Sequence, residues 1–240
     1  MIRMIGIFVT ILGVVLMSGA VMAQPKLTIP ENHFDFGYVP QHAAISHQYQ
    51  LLSTGTDTLK ILSLKPGCGC TKAPLQKSKL APGDSTNLEV IFSTRSYSGP
   101  QKKRPSLTTN MGPDAVNVVF TAEVIINPEE TTPIKIAPYK FDISQFDDKE
   151  RKSLDFTITN VSDEPLEVKL VDIAPGMFKV DLPKKIGPGE SKKGEIEILK
   201  AYIDQEFEKS MTIELNDRVK SRFTIPIKRS IRQLSSQTEN

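Results

Sequence analysis

The feature that most constrains this chain is an internal repeat. Phe34-Asp35-Phe36 recurs as Phe141-Asp142-Ile143, 107 residues further on, and Tyr49 and Leu59 recur as Phe156 and Leu166 at the same spacing. Ala81-Pro82-Gly83-Asp84 answers Gly187-Pro188-Gly189-Glu190, and Asn110 answers Asn216, both at 106. Five matches in chain order at nearly constant spacing describe one structural unit used twice. Within each unit, short alternating runs rich in Val, Ile, Thr, Phe and Tyr are separated by Gly, Pro, Asn and Asp turns, the pattern of half-buried strands. The predicted strands are His47–Leu51, Leu59–Leu64, Asn87–Phe92, Asn117–Val124, Leu154–Ile158, Glu195–Leu199 and Ser221–Ile227. No long helix is expected, and the charged stretch Gln145–Lys152 has room for one turn.

A unit of about 100 residues and seven strands is the size of an immunoglobulin-like sandwich. The chain is therefore read as all-β, with two tandem immunoglobulin-like β-sandwich domains at 24–127 and 128–232 and a flexible tail at 233–240. The linker Asn127–Pro133 has Pro128 and Pro133 near its ends. Proline lacks the ladder donor and fixes φ, so no sheet is expected to run through this linker. The Pro-Gly pairs at 82–83 and 188–189 suit tight turns, proline presetting φ and glycine accepting φ > 0. No Trp and no widely spaced Cys pair are present, which sets the units apart from antibody domains.

Residues 1–23 form a separate segment. Arg3 supplies a thin positive region, Ile5 to Leu16 is apolar apart from Thr10, and small residues precede Ala23. This is the layout of a secretory signal peptide cut between Ala23 and Gln24. An uncleaved anchor is the alternative, since the run is borderline for a hydrocarbon core of roughly 30 Å. No other stretch is long and apolar enough to cross a bilayer. The whole chain is 39% hydrophobic and 24% charged, a globular composition. A net charge of +2 supplies no strong field for nucleic acid.

The residues resemble a known group. Phe34-Asp35-Phe36-Gly37, the Thr54-Gly55 turn, Leu59, Cys68-Gly69-Cys70-Thr71, Ala81-Pro82-Gly83-Asp84 and Thr109-Asn110 follow one another over about residues 32–125. That order is similar to a bacterial family of exported proteins of unknown function marked by a CGCT motif. Its domains resemble hydin-type and major-sperm-protein immunoglobulin-like modules. The resemblance implies a β-sandwich and an envelope location in the periplasm or at the cell surface, and assigns no reaction.

Cys68-Gly69-Cys70 is the one chemically unusual site. At the repeat spacing Gly69 falls on Gly176 and Cys70 on Met177, so position 70 can be simple packing and the loop is expected to need its glycine. A disulfide between the two would close a ring with one residue inside, adding little chain-entropy stabilisation and giving the bond redox character. Two thiolates could instead hold copper or zinc, although zinc ordinarily takes four ligands. The nearby histidines are His33, His42 and His47. His47 falls on the core-facing Leu154 and is expected to be packed rather than ligating.

Other signals are weaker. Gly187–Gly194 resembles a phosphate loop but lacks the Gly-Lys-Ser/Thr ending. Asp35-Phe36-Gly37 lacks the other parts of a kinase site. Lys102-Lys103-Arg104 reads as a solvated edge strand. Asp147, Asp148 and Glu150 read as an acidic turn rather than a calcium loop. The expected function is an exported, non-enzymatic binding or assembly module of the bacterial cell envelope. Its partner, an envelope protein or a surface ligand, is unknown, and it is not a nucleic acid. The alternative is an envelope metal-binding or thiol-redox protein acting through Cys68 and Cys70.

Overall fold

A computed structural model describes residues 22–146 and 150–232 of the chain. Residues 1–21 of the expected signal segment, Asp147 and Asp148 of the acidic turn, and the expected tail 233–240 lie outside the described residues. The first unit comprises β1 (Leu27–Thr28), β2 (His33–Pro40), β3 (Ala44–Ser53), β4 (Leu59–Lys65), β5 (Thr71–Lys72), β6 (Lys79–Leu80), β7 (Ser85–Ser93), β8 (Gly99–Lys103), β9 (Ser106–Thr109), β10 (Gly112–Asn117) and β11 (Val119–Ile125). The second comprises β12 (Ile134–Ala137), β13 (Phe141–Asp142), β14 (Gln145–Phe146), β15 (Ser153–Asn160), β16 (Leu166–Ile173), β17 (Phe178–Asp181), β18 (Lys185–Ile186), β19 (Ser191–Ile198), β20 (Phe207–Leu215), β21 (Arg222–Arg229) and β22 (Ile231–Arg232). Gln145 and Phe146 form strand, pairing in parallel with Ile231 and Arg232, where a helical turn was expected.

The repeat is visible strand by strand. Sheet β1-β3-β7-β5 in the first unit has the same order as β12-β15-β19-β17 in the second. Alternation places Ile45, Tyr49, Leu51, Leu88, Val90 and Phe92 inward in the first, and Leu154, Phe156, Ile158, Ile196 and Ile198 in the second. Each layer faces strands of a second sheet across its own apolar core, giving two immunoglobulin-like sandwiches. The Phe120 ring lies 5.6 Å from Phe36 and 5.4 Å from Phe92, bridging the layers of the first unit. Gly83 and Gly189 take φ of +84° and +67°, as the two Pro-Gly turns require. Asn110 and Asn216 also play one part: each side-chain oxygen accepts a strand N–H, from Lys60 and Glu167, at 2.8 Å.

No sheet runs through the linker, as expected, yet the units are not separate. Strands end at Ile125 and resume at Ile134 with a 3-10 turn, Pro128–Glu130, between them. The sheet continues sideways instead. β2 of the first unit pairs in parallel with β21 of the second, Tyr38 beside Phe223, producing one eight-stranded sheet across both units. Gly37 makes this possible. It has φ +62°, and a Cβ there would lie 2.1 Å from the Arg222 carbonyl oxygen. Around this seam Thr224 Oγ1 donates to the Phe36 carbonyl at 2.6 Å, and Arg222 Nη1 to that of Asp35 at 3.2 Å. Ser210 accepts from the Ser46 N–H and donates to the Ser46 carbonyl, each at 2.9 Å. Lys209 and Glu89 form an ion pair across the seam with both side chains mostly shielded from water.

Lys102 and Lys103 lie on β8, an edge of the large sheet, as expected of an edge-guarding basic run. Lys103 does more than meet water: its ammonium lies 4.8 Å from the Tyr97 ring centroid and 5.7 Å from that of Phe92. Among the described residues no helix is long and apolar enough to cross a membrane.

Candidate functional site

The two units diverge at one end of the seam and leave a cleft of about 450 Å³. One wall is the end of the first unit's β3–β7–β5 layer, with Ala44, Ile91, Ser93 and Lys72. The other is the second unit's Lys140, Phe141, Asp142, Glu208, Pro226 and Lys228. Pro226 has a local reason to be there. β21 pairs with β2 at Phe223 and with β13 at Ile227, so the missing proline donor falls at the junction of two neighbouring strands. His42, Arg95 and the Gly69-Cys70 loop complete the rim.

Cys68 and Cys70 are joined in a disulfide with Cα atoms 5.2 Å apart. Cys70 is buried at 4% exposure and Cys68 is half-buried. The Ser93 N–H donates to the Cys70 carbonyl at 2.8 Å, and the Leu199 N–H donates to that of Met177 at 2.9 Å. Position 70 is thus set by the frame common to both units. Gly69 is different from the expectation. Its Cβ position is open space and its φ is not positive; the left-handed glycine after a proline is Gly67, at φ +88°, and its counterpart is Gly176 at +71°. Cys68 and Gly69 are therefore residues inserted after a shared Pro-Gly turn, and the uniform spacing of the repeat conceals this.

Cys68 and Cys70 stand in the oxidised state. Both sulfurs are bonded to each other, and among the described residues no group of three or more His, Cys, Asp or Glu side chains gathers as a ligand set. His47 is packed, as its repeat position implies: its ring stacks on Phe34 at 3.7 Å. It also reaches the second unit, its Nδ1 lying 2.9 Å from Asp172 Oδ2, a partner the sequence does not signal. His42 belongs to the cleft rim, while His33 begins β2 away from it.

The three-residue disulfide ring predicts a modest energetic role. Chain entropy assigns it about 1.6 kcal/mol, against about 3 kcal/mol for a fifteen-residue loop. Reduction is expected to add two hydrogens to the intact mass and lower the thermal midpoint by no more than roughly 3–6 °C. Mass spectrometry paired with calorimetry checks both, and a collapse of the midpoint by tens of degrees would contradict it.

Two backbone strains mark the rim. His42 and Arg95 have φ of +52° and +43°, and with Lys220 they are the non-glycine residues of positive φ among those described. The His42 N–H donates to the Arg95 carbonyl at 2.7 Å, and Arg95 Nη2 donates to the Gly69 carbonyl at 2.9 Å. Lys140 Nζ then ties the second unit to the Gln41 carbonyl at 2.7 Å. The disulfide loop and the second unit are thereby joined through one hydrogen-bonded series. Asp142 accepts from the Ser144 N–H at 3.0 Å. Burial works against its charge, but Ser144 and the nearby Lys228 and Arg151 outweigh that and hold the carboxyl below its usual range. At the discounted phosphate-like loop, Glu190 accepts the Gly187 N–H at 2.7 Å, which fills that donor internally and lowers the carboxyl's pKa.

Two immunoglobulin-like sandwiches fused edge to edge, with a disulfide-walled cleft where they part, define the class of this protein. The family described as "Protein of unknown function (DUF1573)" matches residues 27–124 and again 134–231, and the chain belongs to that family. No curated protein is matched by the chain. Among solved structures it is similar to a protein of unknown function from Porphyromonas gingivalis W83, with 15% identity and a TM-score of 0.34, covering 85% of this chain and 99% of that one. It is also similar to the ASH/PapD-like domain 7 of human CEP192, with 10% identity, a TM-score of 0.36, and 50% and 98% covered. A third is WR4, a C. elegans MSP family member, with 14% identity, a TM-score of 0.32, and 42% and 100% covered.

Proposed function

We propose that this protein is an exported, non-enzymatic protein-binding module of the bacterial cell envelope, engaging its partner at the inter-unit cleft. The observation that carries this is the construction of the cleft: a fixed, partly apolar depression between two fused sandwiches, with backbone strain and exposed charge concentrated at its rim. Sandwich domains recruit partners through such end loops and edges. Export is supported by the signal-like residues 1–23 and by a disulfide that suits an oxidising compartment. Crosslinking of the purified protein in envelope extracts is expected to recover a discrete protein partner. Recovery of no envelope protein, or turnover of a small molecule at the cleft, overturns the proposal.

A second, thiol-exchanging function is favoured by one observation: Cys68 is half-buried and open to attack while its partner Cys70 is shielded. An incoming thiolate would attack Cys68 Sγ, release Cys70 as thiolate and form a mixed disulfide. In a Cys70→Ser variant the Cys68 thiolate is expected to attack the disulfide of an oxidised partner, release one of that partner's sulfurs as thiolate, and remain trapped as a mixed disulfide because Cys70 is not there to resolve it. If the variant forms no adduct with disulfide-bearing envelope proteins, exchange is not the function.

A further inference from the structure

We infer that the cleft recognises an acidic peptide segment: an apolar side chain seated on its floor, flanked by Asp or Glu side chains that meet the rim. The inference deepens the protein-binding function proposed above and rests on it. The floor is apolar, with Phe141 and Ile227 each 1% exposed beside Ile91 and Pro226. The rim carries exposed Lys72, Arg95, Lys140 and Lys228. Against these four cations stand two carboxylates, Asp142 and Glu208. Among the described residues none of the four cations has a carboxylate within ion-pair distance. Two of them are committed to backbone carbonyls, Arg95 to Gly69 and Lys140 to Gln41, which fixes their positions without neutralising them. Lys72 on the first unit and Lys228 on the second have no such hydrogen bond and flank the floor from opposite walls.

The combination selects among anions. A cationic rim over an apolar floor attracts carboxylates while offering burial to a hydrocarbon group between them. Single-stranded nucleic acid fits less well, because it calls for a series of exposed rings on which successive bases stack, and of the two rings lining this cleft Phe141 is buried and His42 alone is exposed. The floor's size, within the range of ligand pockets, admits one large side chain with its neighbouring backbone. Ile227 and Pro226 are held in β21 by its neighbours within the second unit, β13 and β20, so the floor is preformed rather than assembled on binding.

The experiment is selection of a displayed random twelve-residue peptide library on the full exported protein. The enriched peptides are then titrated by fluorescence anisotropy against wild type, K72Q/K228Q and K72E/K228E. Asp and Glu are expected to flank an aliphatic or aromatic residue in the enriched set. Affinity is expected to fall on the order of ten-fold in the reversed variant, less in the neutral one, and to weaken with added salt. Both lysines are exposed, and unchanged thermal midpoints will show that the variants fold. Enrichment of neutral or basic peptides, no enrichment, or equal affinity for all three proteins overturns the acidic-peptide inference. Preferred binding of phosphatidylglycerol vesicles or oligonucleotides over the peptides overturns it as well. If the envelope partner captured by crosslinking binds K72E/K228E as it binds wild type, this inference fails while the binding-module proposal stands. If acidic peptides bind the cleft yet no envelope protein is captured, the reverse holds.

Discussion

Replacing Gly37 with alanine is expected to break the seam between the units. The backbone at this position is left-handed, which alone costs an L-residue about 1–2 kcal/mol. The larger effect is steric: the new methyl would sit 2.1 Å from the Arg222 carbonyl oxygen and 2.5 Å from its carbon, both backbone atoms that cannot rotate away. β21 must withdraw from β2, and with it go the Thr224–Phe36 and Arg222–Asp35 hydrogen bonds. A total loss on the order of 3–5 kcal/mol is expected, at the upper end for single substitutions. Chemical denaturation should also change from one transition to two as the sandwiches uncouple. Gly189, at φ +67° with open space where its Cβ would lie, carries the backbone cost without the clash, and Gly189→Ala is the matched control. A single, unshifted transition for Gly37→Ala would show that the seam contributes little.

Substitution of Arg229 by methionine is expected to be comparably severe. Its side chain is 1% exposed inside the second unit. The guanidinium donates to the carbonyls of Ile143, Arg151 and Ile203 at 2.5–2.9 Å and to Gln145 Oε1 at 2.9 Å. These bonds pin the chain on either side of 147–149 to the end of β21. Methionine fills much of the volume but leaves the carbonyls without donors, and each orphaned buried group costs about 1–3 kcal/mol. A loss of at least 3 kcal/mol is expected by urea denaturation, with Arg229→Lys recovering only part, since one ammonium cannot span the fork. Near-wild-type stability in Arg229→Met would mean that water replaces the guanidinium.

The contrast between these two residues and the repeat shows what the sequence makes legible. Strand positions such as Leu154, Phe156 and Ile158 announce themselves because burial on one face imposes a period of two. Pro82-Gly83 and Pro188-Gly189 announce turns because few other pairs tolerate that backbone. The seam has no period. It depends on a missing side chain at Gly37, on Tyr38 meeting Phe223, and on Ser46 meeting Ser210, contacts between residues more than 160 positions apart. Arg229 follows Lys228 and precedes Ser230, a run that reads as a polar strand end, yet alternation buries it where Ala122 lies in the first unit. For the candidate site, the cysteines were conspicuous by chemistry alone, and His47 by its repeat position. The cleft was hidden because its walls come from different units. Lys72, Arg95, Lys140 and Lys228 are ordinary surface cations until the seam brings them to one rim. Asp172 was equally silent until His47 faced it.

Parallel pairing of Tyr38 with Phe223 links strands 185 residues apart, so the amino-terminal half waits for nearly the whole polypeptide before its outer ladder is complete. Such distant closure is slow, because loop entropy is lost before the contact repays it. Until then β2 presents bare amide and carbonyl groups, the kind of surface on which neighbouring nascent copies join into aggregates. The missing side chain at 37 that lets β21 approach also leaves that edge open until it arrives, so folding of this protein ends, rather than begins, with its first long strand.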